Sequence, residues 1–117
     1  MTRYLILVAE DPGAWEDADE AAREEYFAAH GRFEAFVDAH GRRVSSAALA
    51  GPDMATTIRH EGEQAVVNDG PFAELAEIIG GYYDIEVPDL DTAIAAGKLL
   101  PRTYAVEIRP TIVIDGV

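Results

Sequence analysis

In residues 3–9, Arg-Tyr-Leu-Ile-Leu-Val-Ala, apolar side chains fall on both alternating sets of positions. A strand with both faces covered has that pattern, so this segment predicts a central first strand. Asp11-Pro12-Gly13 breaks it. Residues 14–40 then read as helical from Asp19 onward, with Tyr26, Phe33, Phe36 and Val37 as the apolar stripe and Gly41 as a left-handed cap. Residues 43–49 and 55–60 have strand character and are separated by Gly51-Pro52; Glu61-Gly62 is a two-residue hairpin turn into a strand over residues 63–68. Asp69-Gly70-Pro71-Phe72 is a turn, and residues 73–79 a short helical or irregular passage. Gly80-Gly81 opens a strand in which Tyr83, Ile85 and Val87 alternate with Tyr82, Asp84 and Glu86, so one face is buried. Pro88 ends it, Asp89 caps a helix through Lys98, Pro101 bars its continuation, and a last strand spans residues 104–109.

Strand, long helix, strands, helix, strand is the order of a split βαβ unit, so the expected fold class is α+β: a ferredoxin-like antiparallel sheet with helices on one face. A sheet covered on one side needs a second cover, and a homodimer of the dimeric α/β-barrel type, closed sheet against sheet, supplies it. Residues 111–117 form a tail in which Thr-Ile-Val-Ile has strand propensity. Beyond Pro110 it is expected not to continue the same ladder.

Length and composition narrow the classes of function. At 117 residues with 49% hydrophobic side chains the chain is expected to be one soluble domain over residues 1–117, with no apolar run near the roughly 18 residues of a membrane span. Its first residues are expected not to act as an export signal, and the lack of cysteine suits a cytoplasmic location while excluding thiolate metal sites and a Cys nucleophile. The net charge of −13, with Lys98 the sole lysine and no basic cluster, argues against nucleic acid as a partner. The acid concentrates between Glu10 and Glu25, where Arg23 is the lone base; a solvated helix start explains it better than an acidic docking surface. His30, His40 and His60 have neither helical nor strand spacing for a metal site, so no metal and no cofactor is expected.

The run Asn68-Asp69-Gly70-Pro71-Phe72-Ala73-Glu74, then Gly80-Gly81-Tyr82-Tyr83-Asp84-Ile85 and Val87-Pro88-Asp89-Leu90-Asp91-Thr92-Ala93, resembles the core of the DGPF-domain branch of the YCII-related proteins. Thr56-Thr57-Ile58-Arg59 and Val106-Glu107-Ile108-Arg109-Pro110 extend the resemblance to Pro110, leaving the tail outside. It implies a dimeric ferredoxin-like fold in small bacterial cytoplasmic proteins, some similar to enzymes of aromatic-compound degradation. Members of the branch are often encoded near extracytoplasmic-function sigma factors, which implies a regulatory association as the alternative to catalysis.

His30 falls on the buried stripe of the long helix and should face the sheet. Gly31, costing about 1 kcal/mol in a helix, suggests close packing or an entering ligand there. In YCII-type relatives a helix His at this distance from the terminating Gly belongs to a His–Asp site. Residues 97–101, Gly-Lys-Leu-Leu-Pro, lack the late Asp that the resemblance calls for, so Asp69 is the candidate substitute, alternatively a turn brace. The expected reading is a pocket for a small organic molecule, anionic or aromatic, with His30 as acid/base, Asp69 as its partner, and Tyr83 and Arg109 as binding residues. The alternatives are a core histidine and a non-catalytic binding or accessory module.

Overall fold

Tyr4, Ile6 and Val8 project from one side of the first strand, β1 (Thr2–Glu10), into the core, and Leu5 and Leu7 from the other. The computed structural model describes residues 1–73 and 76–116 of the chain. A four-residue helix, α1 (Ala14–Asp17), follows β1 and leads into the long α2 (Glu20–His40), capped by the Asp19 carboxylate, which accepts from the Ala22 amide at 2.8 Å. Strand β2 (Arg42–Ala48) comes next, then a hairpin of β3 (Thr56–Glu61) and β4 (Gln64–Asp69), the long β5 (Ile78–Val87), α3 (Leu90–Gly97) and β6 (Ala105–Pro110).

One antiparallel sheet has the order β2-β5-β1-β6, and β3 with β4 forms a separate two-stranded sheet. Apart from that hairpin the elements run β-α-β-β-α-β, with the first and third of the four sheet strands in the middle. This is the ferredoxin-like arrangement, and β1 is central as its double-sided apolar pattern requires. Both α2 and α3 cover one face. Phe33 and Val37 from α2 and Ala93 and Ala96 from α3 pack on Ile6, Ile85 and Val87, all fully buried. Each large apolar side chain sealed there contributes about 2 kcal/mol.

Several local expectations change. Gly41 has φ −171°, which is extended and not left-handed; glycine is needed because a Cβ would lie 1.9 Å from the carbonyl oxygen of Glu86. Around Gly31 a Cβ would meet nothing within 4 Å, so close packing does not explain it. Strand β5 begins at Ile78 inside the passage expected over residues 73–79, of which residues 74–75 lie outside those described. Pro110 does not end its ladder: it pairs with Tyr4, and the Thr111 amide donates to the Arg3 carbonyl at 2.9 Å. Proline is tolerated because β6 is an edge strand.

The open sheet face is less apolar than expected. Ion pairs Arg3–Asp84 at 2.8 Å, Arg42–Glu86 at 2.9 Å and Arg109–Glu107 at 2.6 Å occupy one end, leaving Leu7, Ala9, Ile79 and Ala105 around a shallow cleft at the other. Among the described residues no helix is long and apolar enough to cross a membrane.

Candidate functional site

Helical periodicity places His30 and Glu34 one turn apart on α2, above the Tyr83 side chain of β5. The Tyr83 hydroxyl donates to Glu34 Oε2 at 2.9 Å and lies 2.8 Å from His30 Nδ1. On the far side of the imidazole, Nε2 lies 2.9 Å from the hydroxyl of Tyr104, just before β6. A phenol has one proton. With the Tyr83 proton directed at Glu34, its oxygen accepts from Nδ1–H, and a neutral His30 then receives the Tyr104 proton at Nε2. Tyr104, His30, Tyr83 and Glu34 thus form one directed hydrogen-bond chain, and Arg43 closes it with a 2.6 Å ion pair to Glu34.

The electrostatics keep the chain neutral at its centre. Burial lowers the His30 pKa, with the Glu34 charge opposing that shift. The Tyr83 phenol is pushed up, first by burial and then by its hydrogen bond to Glu34. Tyr104 is pushed up to about 12 by burial, reinforced by the charge of Glu10.

His30 and Tyr104 border an open cleft of about 420 Å³, which Trp15, Tyr26 and Phe27 line as aromatic walls and Glu10 as an acid. Trp15 meets Tyr26 and Phe27 edge-on, with centroids 5.8 and 5.6 Å apart. The Tyr26 hydroxyl donates to Glu10 Oε2 at 3.3 Å, yet burial still raises the Glu10 pKa.

Of the residues singled out from sequence, His30 and Tyr83 come together and the other two do not. Asp69 ends β4, exposed, and among the described residues its carboxylate makes no hydrogen bond to His30, whose two nitrogens hold tyrosines instead. The turn it opens is braced by others: Gly70, at φ 105°, has its carbonyl bound by Thr57 Oγ1 at 2.7 Å, and Arg59 donates to the Phe72 carbonyl. Arg109 projects from the opposite sheet face and pairs with Glu107. Glu34, Tyr104, Tyr26 and Glu10 were not singled out as site residues. The i, i+4 spacing of His30 and Glu34 was the available signal for one of them; Tyr104 is far away in the chain and only the sheet brings it near. His40 bonds the Phe36 carbonyl at 2.8 Å, His60 is exposed, and among the described residues no three His, Asp or Glu side chains gather as metal ligands.

A family model for the YCII-related domain matches residues 2–115. The chain belongs to the YCII-related family. The match takes in residues 111–115, beyond the Pro110 limit expected from sequence. One curated relative, "Uncharacterized protein R00369" of Rhizobium meliloti (strain 1021), is 32% identical over 115 residues, covering 92% of this chain and 90% of its own. In this YCII-related chain the helix histidine is thus linked to a carboxylate on its own helix, through a tyrosine.

Proposed function

We propose that this YCII-related protein uses the cleft beside His30 to bind a small organic molecule and move a proton on it, in an isomerisation or elimination. The observation that carries the reading is the directed chain Tyr104–His30–Tyr83–Glu34 with one end at the cleft. A carbon or oxygen acid in the cleft would pass its proton to the Tyr104 oxygen as the Tyr104 proton moves to His30 Nε2. The product is an imidazolium, which Glu34 stabilises through Tyr83, and the reverse step returns the proton elsewhere on the ligand. His30 is the base, Tyr104 the group that touches the ligand, and Tyr83 and Glu34 position the ring. Of the residues first considered, Asp69 and Arg109 have no part in this reading.

Incubation in D2O with small enolisable ketones and β,γ-unsaturated lactones, followed by proton NMR, tests it. Exchange at the acidic carbon should exceed buffer background and fall about 100-fold or more in His30→Gln. Background exchange with every compound, or exchange unchanged in the variant, would overturn the reading. Because protein hydroxyls already fill both His30 nitrogens, a second reading has some support: a non-catalytic binding or accessory module, of the kind the sigma-factor association suggests. Ligand binding without His30-dependent exchange would favour it.

The same reading includes a homodimer, supported by the one-sided helix cover and by exposed Ile58, Val67 and Ile112. A cytoplasmic setting is supported by the absence of cysteine.

A further inference from the structure

The cleft beside His30 has a consistent sign of charge. Glu10, Asp11 and Glu16 line it, and neither lysine nor arginine does. Burial lowers the pKa of His30, its one basic group, against the opposing charge of Glu34. Among the described residues the ion pairs engage other acids, so Glu10, Asp11 and Glu16 have no cationic partner there. Arg23 lies over the Trp15 ring at 4.8 Å from its centroid and donates to the carbonyls of Trp15 and Glu16, holding α1 against α2.

The walls match a cation of a particular kind. Phe27 is 69% exposed and Trp15 37% exposed, so apolar rings stand in water beside unneutralised carboxylates. Aromatic faces attract ammonium groups through their quadrupole, and the attraction grows where water is displaced. An anion would meet the Glu10 charge, and Arg23 beside the cleft makes no ion pair with it, being held over the Trp15 ring and on backbone carbonyls. Arg109, expected from sequence to receive a carboxylate, is on the other side of the sheet.

We propose that the ligand of this cleft is a small organic ammonium ion with an aromatic or branched apolar body, its charge neutralised by Glu10 and its body laid against Trp15 and Phe27. The inference rests on the reading of the cleft as a ligand site and, of the anionic or aromatic ligand expected from sequence, keeps only the aromatic alternative.

Trp15 is the sole tryptophan, so its emission reports the cleft directly. The probes are three molecules of similar shape: phenethylammonium, 2-phenylethanol and 3-phenylpropionate, titrated at pH 7. Phenethylammonium should bind about tenfold or more tighter than the alcohol, with the carboxylate weakest. Glu10→Gln, which keeps an acceptor for Tyr26, should bring the cation toward the affinity of the alcohol and leave the alcohol unchanged. Phe27→Ala, at an exposed position, should weaken cation and alcohol together. Equal binding of the three probes, preference for the carboxylate, a cation preference that survives Glu10→Gln, or no response to any probe would overturn the proposal. The two readings fail separately: His30-dependent exchange without cation preference overturns this inference alone, and cation preference without such exchange overturns only the proton-transfer chemistry.

Discussion

His30 is half-buried and hydrogen-bonded at both nitrogens, so its proton affinity is set by what surrounds the ring. Burial disfavours the imidazolium and lowers the pKa in the folded protein. The unfolded chain therefore binds a proton at this residue more readily than the folded one. The stabilisation from keeping the ring neutral is complete above the ordinary pKa of about 6.5 and is lost as pH falls from there through the folded pKa. Glu34 is the charge opposing the shift. Replacing it in Glu34→Gln should move the His30 midpoint to still lower pH in an NMR titration, whereas Asp69→Asn should leave it in place. A midpoint that rises in the first variant, or shifts in the second, would contradict the geometry of the hydrogen-bond chain.

At the scale of elements, the passage from α2 into β2 depends on one close approach. The helix must end where the neighbouring strand arrives, and at Gly41 the backbone passes so near the Glu86 carbonyl that a methyl group has no room. The amide of Gly41 meanwhile donates to the Val37 carbonyl at 2.8 Å, closing the last helical turn. Since φ is extended there, Gly41→Ala tests crowding and not backbone strain. It should lower stability by about 2–3 kcal/mol in urea unfolding, because backbone and not a flexible side chain must yield. A loss below about 0.5 kcal/mol would mean that β5 gives way at no cost.

The whole molecule is wider than its length warrants. Its radius of gyration is 16.4 Å, against about 13 Å for a domain of this size, and its extents are 49 × 44 × 18 Å. The thin dimension is one sheet with one layer of helices, and the hairpin and tail supply the rest. Ile58 and Val67 are paired across β3 and β4, each 63% exposed, and Val113 in the tail is 95% exposed. Such surface is costly in water, and a homodimer of the proposed kind would cover it. Light scattering at micromolar concentration should therefore give twice the chain mass of 12.7 kDa, and truncation after Pro110 should weaken the dimer. A species of 12.7 kDa, or a dissociation constant that truncation does not change, would refute the corresponding part.

Patterns with a period belong to the sequence by itself. The double-sided apolar pattern within residues 3–9 made β1 a central strand, the stripe of Phe33 and Val37 gave α2 its buried face, and the alternation around Tyr83 identified β5. Local chemistry such as the Asp89 cap was equally legible, because a helix end needs an acceptor for its free amides wherever it lies. His30 could be assigned to the sheet-facing side on the same grounds. Its partners could not. Tyr83 and Tyr104 lie 53 and 74 residues away in the chain, and only the pairing of β5 and β6 with β1 brings their hydroxyls to the two ring nitrogens. Strand register also decided which face each residue takes, setting Arg109 against Glu107 on the open side, away from the cleft. Contacts of that kind depend on a pairing that brings distant strands together, and no local period encodes it.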